Sequence, residues 1–130
     1  MNMFHEALKI GEENAQLLET NNGEIEYILS EFFKAINEFT QGKVTAKIEK
    51  YDKSINTIYE GYAREQAIIL SGKNVLVFWQ QNPRVGYPCI ISRGINSCIC
   101  GDKESLISEL SSLLQDGFVI KTIKEMIAND

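Results

Sequence analysis

Cysteine has the widest chemical repertoire of any residue type in this sequence, and its three copies are Cys89, Cys98 and Cys100. Cys98 and Cys100 are two residues apart on a predicted strand, so their side chains project from the same face. If a two-residue loop at Gly94-Ile95 precedes that strand, Arg93 faces Asn96 and Cys89 lies directly opposite Cys100. All three thiols would then share one face, where a Cys89–Cys100 disulfide or a soft-metal site is sterically possible.

The alternative is that these cysteines are small core residues, a common role for free cysteine. A structural zinc site needs four ligands, and this region offers three thiols and no histidine. We therefore predict no metal and no cofactor. The odd number of cysteines also differs from a secreted disulfide framework, and the N-terminal residues lack the features of a secretory signal, which together favour a cytoplasmic location.

Other catalytic groups are sparse. His5 is the single histidine, which excludes histidine pairs and leaves one candidate for a Ser-His or Cys-His arrangement. Gly72-Lys73 lacks the remaining residues of a phosphate-binding loop. Carboxylate pairs such as Glu12 and Glu13 have the pattern of solvated helix residues. We predict no catalytic residues, and a thiol-dependent enzyme is the remaining enzymatic alternative.

The charge is unevenly distributed along the chain. Residues 1–41 contain eight glutamates and two lysines, a net charge of −6, whereas residues 42–101 have eight basic and four acidic residues. These charges fit the solvated faces of amphipathic elements, or an acidic helical surface that steers a basic partner. Because Tyr and Arg often anchor protein interfaces, aromatic and arginine residues are also candidates for partner contacts. The predicted partner-binding residues are Glu24, Glu31, Glu38, Tyr59, Tyr62, Arg64, Arg84 and Tyr87.

Two other kinds of partner are disfavoured. Lys43, Lys47, Lys50 and Lys53 lie on or beside one predicted strand, but the sequence pI of about 5.0 opposes binding to phosphates. No segment approaches the roughly 18 consecutive apolar residues that a membrane span requires.

Periodicity predicts helices at both ends of the chain and strands between them. Phe4 to Leu18 has helical spacing, and Thr20 to Gly23 has the composition of a break, after which a second helix runs to Gly42. From Val44 to Glu49 apolar residues then alternate with polar ones, as in a half-buried strand, and short β-rich runs between turn residues predict the other strands. The predicted strands cover 44–49, 55–60, 67–70, 75–79, 87–92 and 97–100, with a long loop at 80–86. Asp102 is predicted to cap a C-terminal helix that ends at Asp116-Gly117, and a last helix covers 119–127.

These elements predict a single α+β domain spanning residues 1–130. Its antiparallel meander of four to five strands is flanked by two N-terminal helices and one or two C-terminal helices. The strands at 67–70 and 75–79 are apolar at consecutive positions, so both faces of the sheet are expected to be covered, by helices or by another subunit. A homodimer is therefore one possible assembly.

A small acidic α+β chain without catalytic groups resembles bacterial toxin-immunity proteins, which cover the active sites of basic nucleases. That resemblance implies a protein-binding function and a partner with a basic surface. The chain is also similar in type to acidic secretion chaperones, which are dimers that offer apolar grooves to an effector. Reversal of Glu24, Glu31 and Glu38 to Lys is expected to weaken partner binding if the acidic helices form the binding face.

Overall fold

The computed structural model describes residues 2–59 and 64–129, which form three helices and one sheet. The helices are α1 (His5–Phe39), α2 (Lys103–Gln115) and α3 (Gly117–Ala128). The strands are β1 (Ala46–Lys50), β2 (Asn56–Thr57), β3 (Gln66–Leu70), β4 (Asn74–Asn82), β5 (Gly86–Arg93) and β6 (Asn96–Cys100). The predicted α+β class is confirmed.

The sheet has the order β1-β3-β4-β5-β6, and each of these neighbours is antiparallel to the next. The short β2 pairs with the start of β4 in a parallel arrangement, which the predicted meander does not contain. The strand predicted over 55–60 is thus reduced to two described residues. The long loop predicted at 80–86 is also wrong, because β4 extends to Asn82 and β5 begins at Gly86.

All three helices pack on one face of the sheet. Their apolar residues form the main core with β-strand residues such as Ile68, Trp79 and Ile91. Half-buried Arg93 of β5 also forms an ion pair with α2, since its guanidinium lies 2.8 Å from the Glu109 carboxylate. Asp102 caps α2 by accepting a hydrogen bond from the Ser105 N–H, as predicted, and Asp116 caps α3 in the same way.

The opposite face of the sheet is covered over part of its area by the segment that follows β1. Tyr51 and Ile55 pack against a second cluster of Ala67, Ile69, Val75 and Phe78. The ring of Tyr51 meets Phe78 edge to face, with 5.0 Å between the centroids. The prediction that both faces of the sheet are covered is therefore correct for the part of the sheet that this cluster occupies. The covering element is a loop of the same chain rather than a helix or another subunit.

The N-terminal region is one continuous helix, and the predicted break at Thr20 to Gly23 is wrong. Asn21 and Asn22 use their side chains for contacts to the β4–β5 hairpin instead of capping a helix. Gly23 costs a helix interior about 1 kcal/mol relative to Ala, which is small beside the apolar packing of the following turns. Tertiary contacts thus override the local preference for a turn. The helix ends as predicted, with Gly42 in the left-handed region at φ 81°.

Candidate protein-binding surfaces

The first half of α1 extends beyond the body of the domain. A helix of 35 residues is roughly 52 Å long, whereas a nine-residue strand such as β4 spans roughly 30 Å. The buried residues of α1 are Ile25, Ile28, Leu29, Phe32 and Ile36, all in its second half. We call residues 4–20, which include Phe4 at the N-cap position, the N-terminal arm. Within it Leu18 is half-buried, and every other residue is exposed.

The arm has one apolar half and one charged half. With about 100° of rotation per residue, its apolar side chains and Asn14 fall within roughly 180° of the helix circumference. The other half is occupied by His5, Glu6, Lys9, Glu12, Glu13, Gln16, Glu19 and Thr20. On the apolar half, Phe4 at the N-cap position is 64% exposed and Leu8 is 72% exposed. The apolar half thus faces solvent although its composition is that of a buried surface.

The stripe on the arm is continuous with the stripe that forms the core. Steps of three and four residues connect Phe4, Leu8 and Leu18 with Ile25 and Phe32 along one side of α1. The sheet covers the stripe from Ile25 onward and leaves the part before it uncovered. Ile10 and Ile28 also lie on one side of α1, because Ile28 follows Ile10 by five full turns. Of these two residues, Ile10 is exposed and Ile28 is buried. Ile28 lines an apolar groove of about 280 Å³ between α1 and α2.

A polar junction fixes the direction of the arm at the point where it leaves the domain. The Asn21 side chain donates to the Val85 carbonyl oxygen at 2.7 Å, and the Gln81 amide donates to Asn22 Oδ1 at 2.8 Å. The Tyr87 hydroxyl donates to Glu24 Oε1 at 2.7 Å. Burial and this hydrogen bond raise the pKa of Tyr87, so the phenol stays a donor at neutral pH. These contacts join α1 to the β4–β5 hairpin.

Gly86→Ala is expected to weaken this junction and lower the free energy of unfolding by about 2 kcal/mol. Gly86 has φ 87°, and a Cβ atom built there would lie 2.9 Å from Asn21 Cβ. Both the backbone and the helix must therefore shift. Urea denaturation measures the change, and Gly72→Ala is the matched control, because Gly72 also has a positive φ but has nothing within 4 Å of the added Cβ. Equal losses for the two variants would show that backbone strain alone, and not the contact with α1, determines the effect.

The predicted acidic residues have different environments. Glu24 belongs to the junction, where it accepts the hydrogen bond from Tyr87. Exposed Glu31 lines the groove between α1 and α2. Glu38 lies 4.0 Å from Lys34 in an exposed pair of little energetic weight. Glu12, Glu13 and Glu19 of the arm were not among the predicted partner residues. Their position beside an uncovered apolar stripe makes them the stronger candidates.

The predicted tyrosines have internal partners where they are described. The Tyr59 hydroxyl donates to Asp116 Oδ2 at 2.6 Å, and its ring packs near Phe118. Burial and this hydrogen bond raise the pKa of Tyr59 to about 12. The bond also holds the pKa of Asp116 below its usual value. Tyr59 thus connects the segment after β2 to α3, and Tyr87 belongs to the junction. Tyr62 lies outside the described residues.

The two predicted arginines line two cavities along β4. Arg64 lines one cavity of about 510 Å³, and Arg84 lines another of about 370 Å³. Gln80 and Gln81 line both cavities, so the two are neighbours. Arg64 and Arg84 are exposed, and they give this side of the sheet two basic side chains.

The three cysteines have the arrangement that the hairpin predicts. Cys89 is directly opposite Cys100, Arg93 is opposite Asn96, and the Sγ atoms of Cys98 and Cys100 are 4.0 Å apart. All three are free thiols. Burial raises the pKa of Cys89 to about 12, and burial is also the main cause that raises the pKa of Cys100 to about 12. These two residues are therefore neutral thiols rather than thiolate nucleophiles at neutral pH.

Within residues 2–59 and 64–129, no group of three or more His, Cys, Asp or Glu side chains could hold a metal ion. None of the described helices is long and apolar enough to cross a membrane.

No family model, curated protein or solved structure matches this chain. The arm therefore has to be interpreted from its own chemistry. Sequence reasoning identified its thin apolar stripe but not its exposure. The signal that could have revealed it is the length of the continuous three-and-four spacing, which exceeds what strands of five to nine residues can cover.

Proposed function

We propose that this chain is a protein-binding module that presents the N-terminal arm to a basic protein partner. The observation that supports it is the uncovered apolar half of the arm, where Phe4, Leu8 and Ile10 are all more than half exposed. An amphipathic helix docks by placing such a face into an apolar groove or against another helix. The contact residues then recur at the i, i+3, i+4 and i+7 positions that the arm provides.

The charge of the arm favours a protein partner over a lipid surface. Helices that lie on membranes are rich in Lys and Arg on the polar face, because the lipid headgroups are anionic. The polar half of the arm has four glutamates and one lysine. It would be repelled by an anionic surface and attracted by a basic one. The proposed partner therefore has an apolar groove or helix bordered by Lys or Arg.

Neutralisation of a basic, nuclease-like toxin is the specific form of this proposal that we favour. The acidic arm is complementary in charge to the basic surface with which a nuclease binds nucleic acid. An immunity protein acts by covering that surface and catalyses no reaction of its own. A secretion chaperone would instead use the groove between α1 and α2 to hold an effector. That groove is the observation favouring this second candidate.

Isolation of the tagged chain from its host, with neighbouring genes co-expressed, tests the proposal. We expect a basic protein in a one-to-one complex, as measured by mass spectrometry and light scattering. Replacement of Glu12, Glu13 and Glu19 with Lys should slow association with that protein about tenfold at low salt, because surface charges act mainly on the association rate. The difference should shrink in high salt, where exposed charges are screened.

The matched control reverses Lys9 to Glu, which changes the charge of the same helix in the opposite direction. It is expected to leave association equal or faster. If the Glu-to-Lys variant and the Lys9→Glu variant associate at the same rate, the arm does not steer the partner. Recovery of anionic lipid in place of a basic protein would favour a membrane-surface role instead.

A further inference from the structure

The two edges of the sheet differ in how they are protected. β1, at one edge, has Lys47, Glu49 and Lys50, and charged side chains are a usual means of preventing edge-to-edge pairing. β6, at the other edge, has the sequence Asn-Ser-Cys-Ile-Cys and no charge. In the described chain β6 pairs with β5 alone. Its outer edge is thus an uncharged strand without a neighbour.

The backbone groups available at this edge follow from the hairpin. In a two-residue hairpin the residues beside the loop, here Arg93 and Asn96, exchange both backbone hydrogen bonds, and such pairs alternate along the ladder. Cys98 and Cys100 therefore direct their N–H and C=O groups toward β5. Ser97 and Ile99 direct theirs away from β5, toward the open edge. Among the described residues no other backbone group bonds to them.

Apolar side chains lie at the same edge. Ile99 is 68% exposed and Ile95, in the loop, is 78% exposed. Ile90 of β5 is the ladder partner of Ile99 and is half-buried beside it. This face of the sheet lies opposite the helices. An uncharged edge and exposed isoleucines together are a typical site for strand addition.

We propose that β6 pairs with β6 of a second copy of this chain, in an antiparallel arrangement about a twofold axis at Cys98. Ser97 of each copy then lies opposite Ile99 of the other, and these are the residues whose backbone groups face outward. This pairing joins the β1-β3-β4-β5-β6 paths of the two copies into one continuous sheet.

The observations favour a second copy over an unrelated peptide, because the edge is complementary to itself. Two uncharged strands meet without like-charge repulsion. The Ile90–Ile99 rows of the two copies become neighbours across the axis. Ile95 comes to lie beside Gly101 of the second copy, and Gly101 has no heavy atom within 4 Å of a built Cβ. A five-residue strand offers far less area than the roughly 1,600 Å² of a standard interface, so we expect weak, concentration-dependent dimers.

Sedimentation or light scattering over a wide range of concentration tests this assembly. We expect reversible dimers of the wild-type chain. Ile99→Lys should weaken dimerisation at least tenfold because it places two charges near the axis. Ser97→Pro should do the same because it removes an outward N–H without breaking a backbone hydrogen bond to β5, although the contact between the Ser92 and Ser97 hydroxyls is lost. Circular dichroism and urea denaturation check that each variant is folded.

Cys98 provides a second readout. Across the axis the two Cys98 residues form a non-hydrogen-bonded pair, with Cα atoms about 4.5 Å apart, which is within the range of a disulfide. Diamide should join them: the two thiols lose their hydrogens, one S–S bond forms, and the N=N bond of diamide is reduced to a hydrazine. Cys98→Ser should abolish the cross-linked dimer and leave the dimer seen by light scattering.

Ile10→Lys is the matched control, since Ile10 is an exposed isoleucine of the arm. It should leave self-association unchanged while weakening binding of the basic partner, so the two proposals fail separately. A monomer at every concentration would overturn the β6 pairing. Dimers that persist in Ile99→Lys but dissociate in Ile10→Lys would also overturn it, because they would form through the arm.

Discussion

Phe32→Ala is expected to lower the free energy of unfolding by about 3–5 kcal/mol, whereas Phe4→Ala changes it by less than about 0.5 kcal/mol. Both residues lie on the same stripe of α1. Phe32 is 6% exposed in the main core, and its ring packs edge-on against Phe33. Its removal leaves a cavity in addition to the lost transfer free energy. Phe4 is 64% exposed and contributes little to the fold.

Urea denaturation of the two variants measures the difference. The pair is matched in chemistry, since each substitution removes one phenyl ring from the same helix. A loss of more than about 1.5 kcal/mol in Phe4→Ala would mean that the arm packs against the domain in solution. The apolar half of the arm would then not be free to bind a partner, and the proposed function would lose its main support.

Leu8→Glu is expected to weaken binding of the basic partner at least 100-fold, about 2.7 kcal/mol, and to leave the unfolding transition unchanged. Leu8 is 72% exposed on the apolar half, next to its border with the charged half. In the complex a glutamate there would bury an unpaired charge or prevent the contact. Glu is a good helix former, so the arm itself should persist.

Gln16→Glu is the control, because it adds the same charge on the polar half of the same helix. It should change the affinity less than about threefold. Isothermal titration calorimetry with the purified partner measures both variants. Similar losses for Leu8→Glu and Gln16→Glu would indicate that net charge, and not the apolar face, determines binding.

Local sequence signals predicted those parts of the fold that depend on near neighbours. Arg93 and Asn96 flank a two-residue loop, and loop length sets the register, so the pairing of Cys89 with Cys100 could be deduced before the structure. Asp102 at the start of α2 is a similar case, since the N-cap interaction spans three residues. The alternation of apolar residues over 44–49 and the short apolar runs at 67–70 and 75–79 identified strands for the same reason.

The remaining features depend on residues far apart in the chain. Asn21 and Asn22 have the composition of a turn, but their partners Val85 and Gln81 are about 60 positions away. The parallel pairing of β2 with β4 is equally invisible to periodicity. The arm is the most instructive case. Its spacing is the same as that of the buried turns, and only the size of the sheet decides which turns are covered.

Hydrogen exchange followed by mass spectrometry, on the chain alone and in complex with its basic partner, tests the central claim most directly. In the free protein the amides of the arm should exchange much faster than those of residues 25–36, because a short helix without tertiary contacts is marginally stable. In the complex the amides of residues 5–20 should become strongly protected. Unchanged exchange in the arm, with protection elsewhere on the surface, would contradict the account.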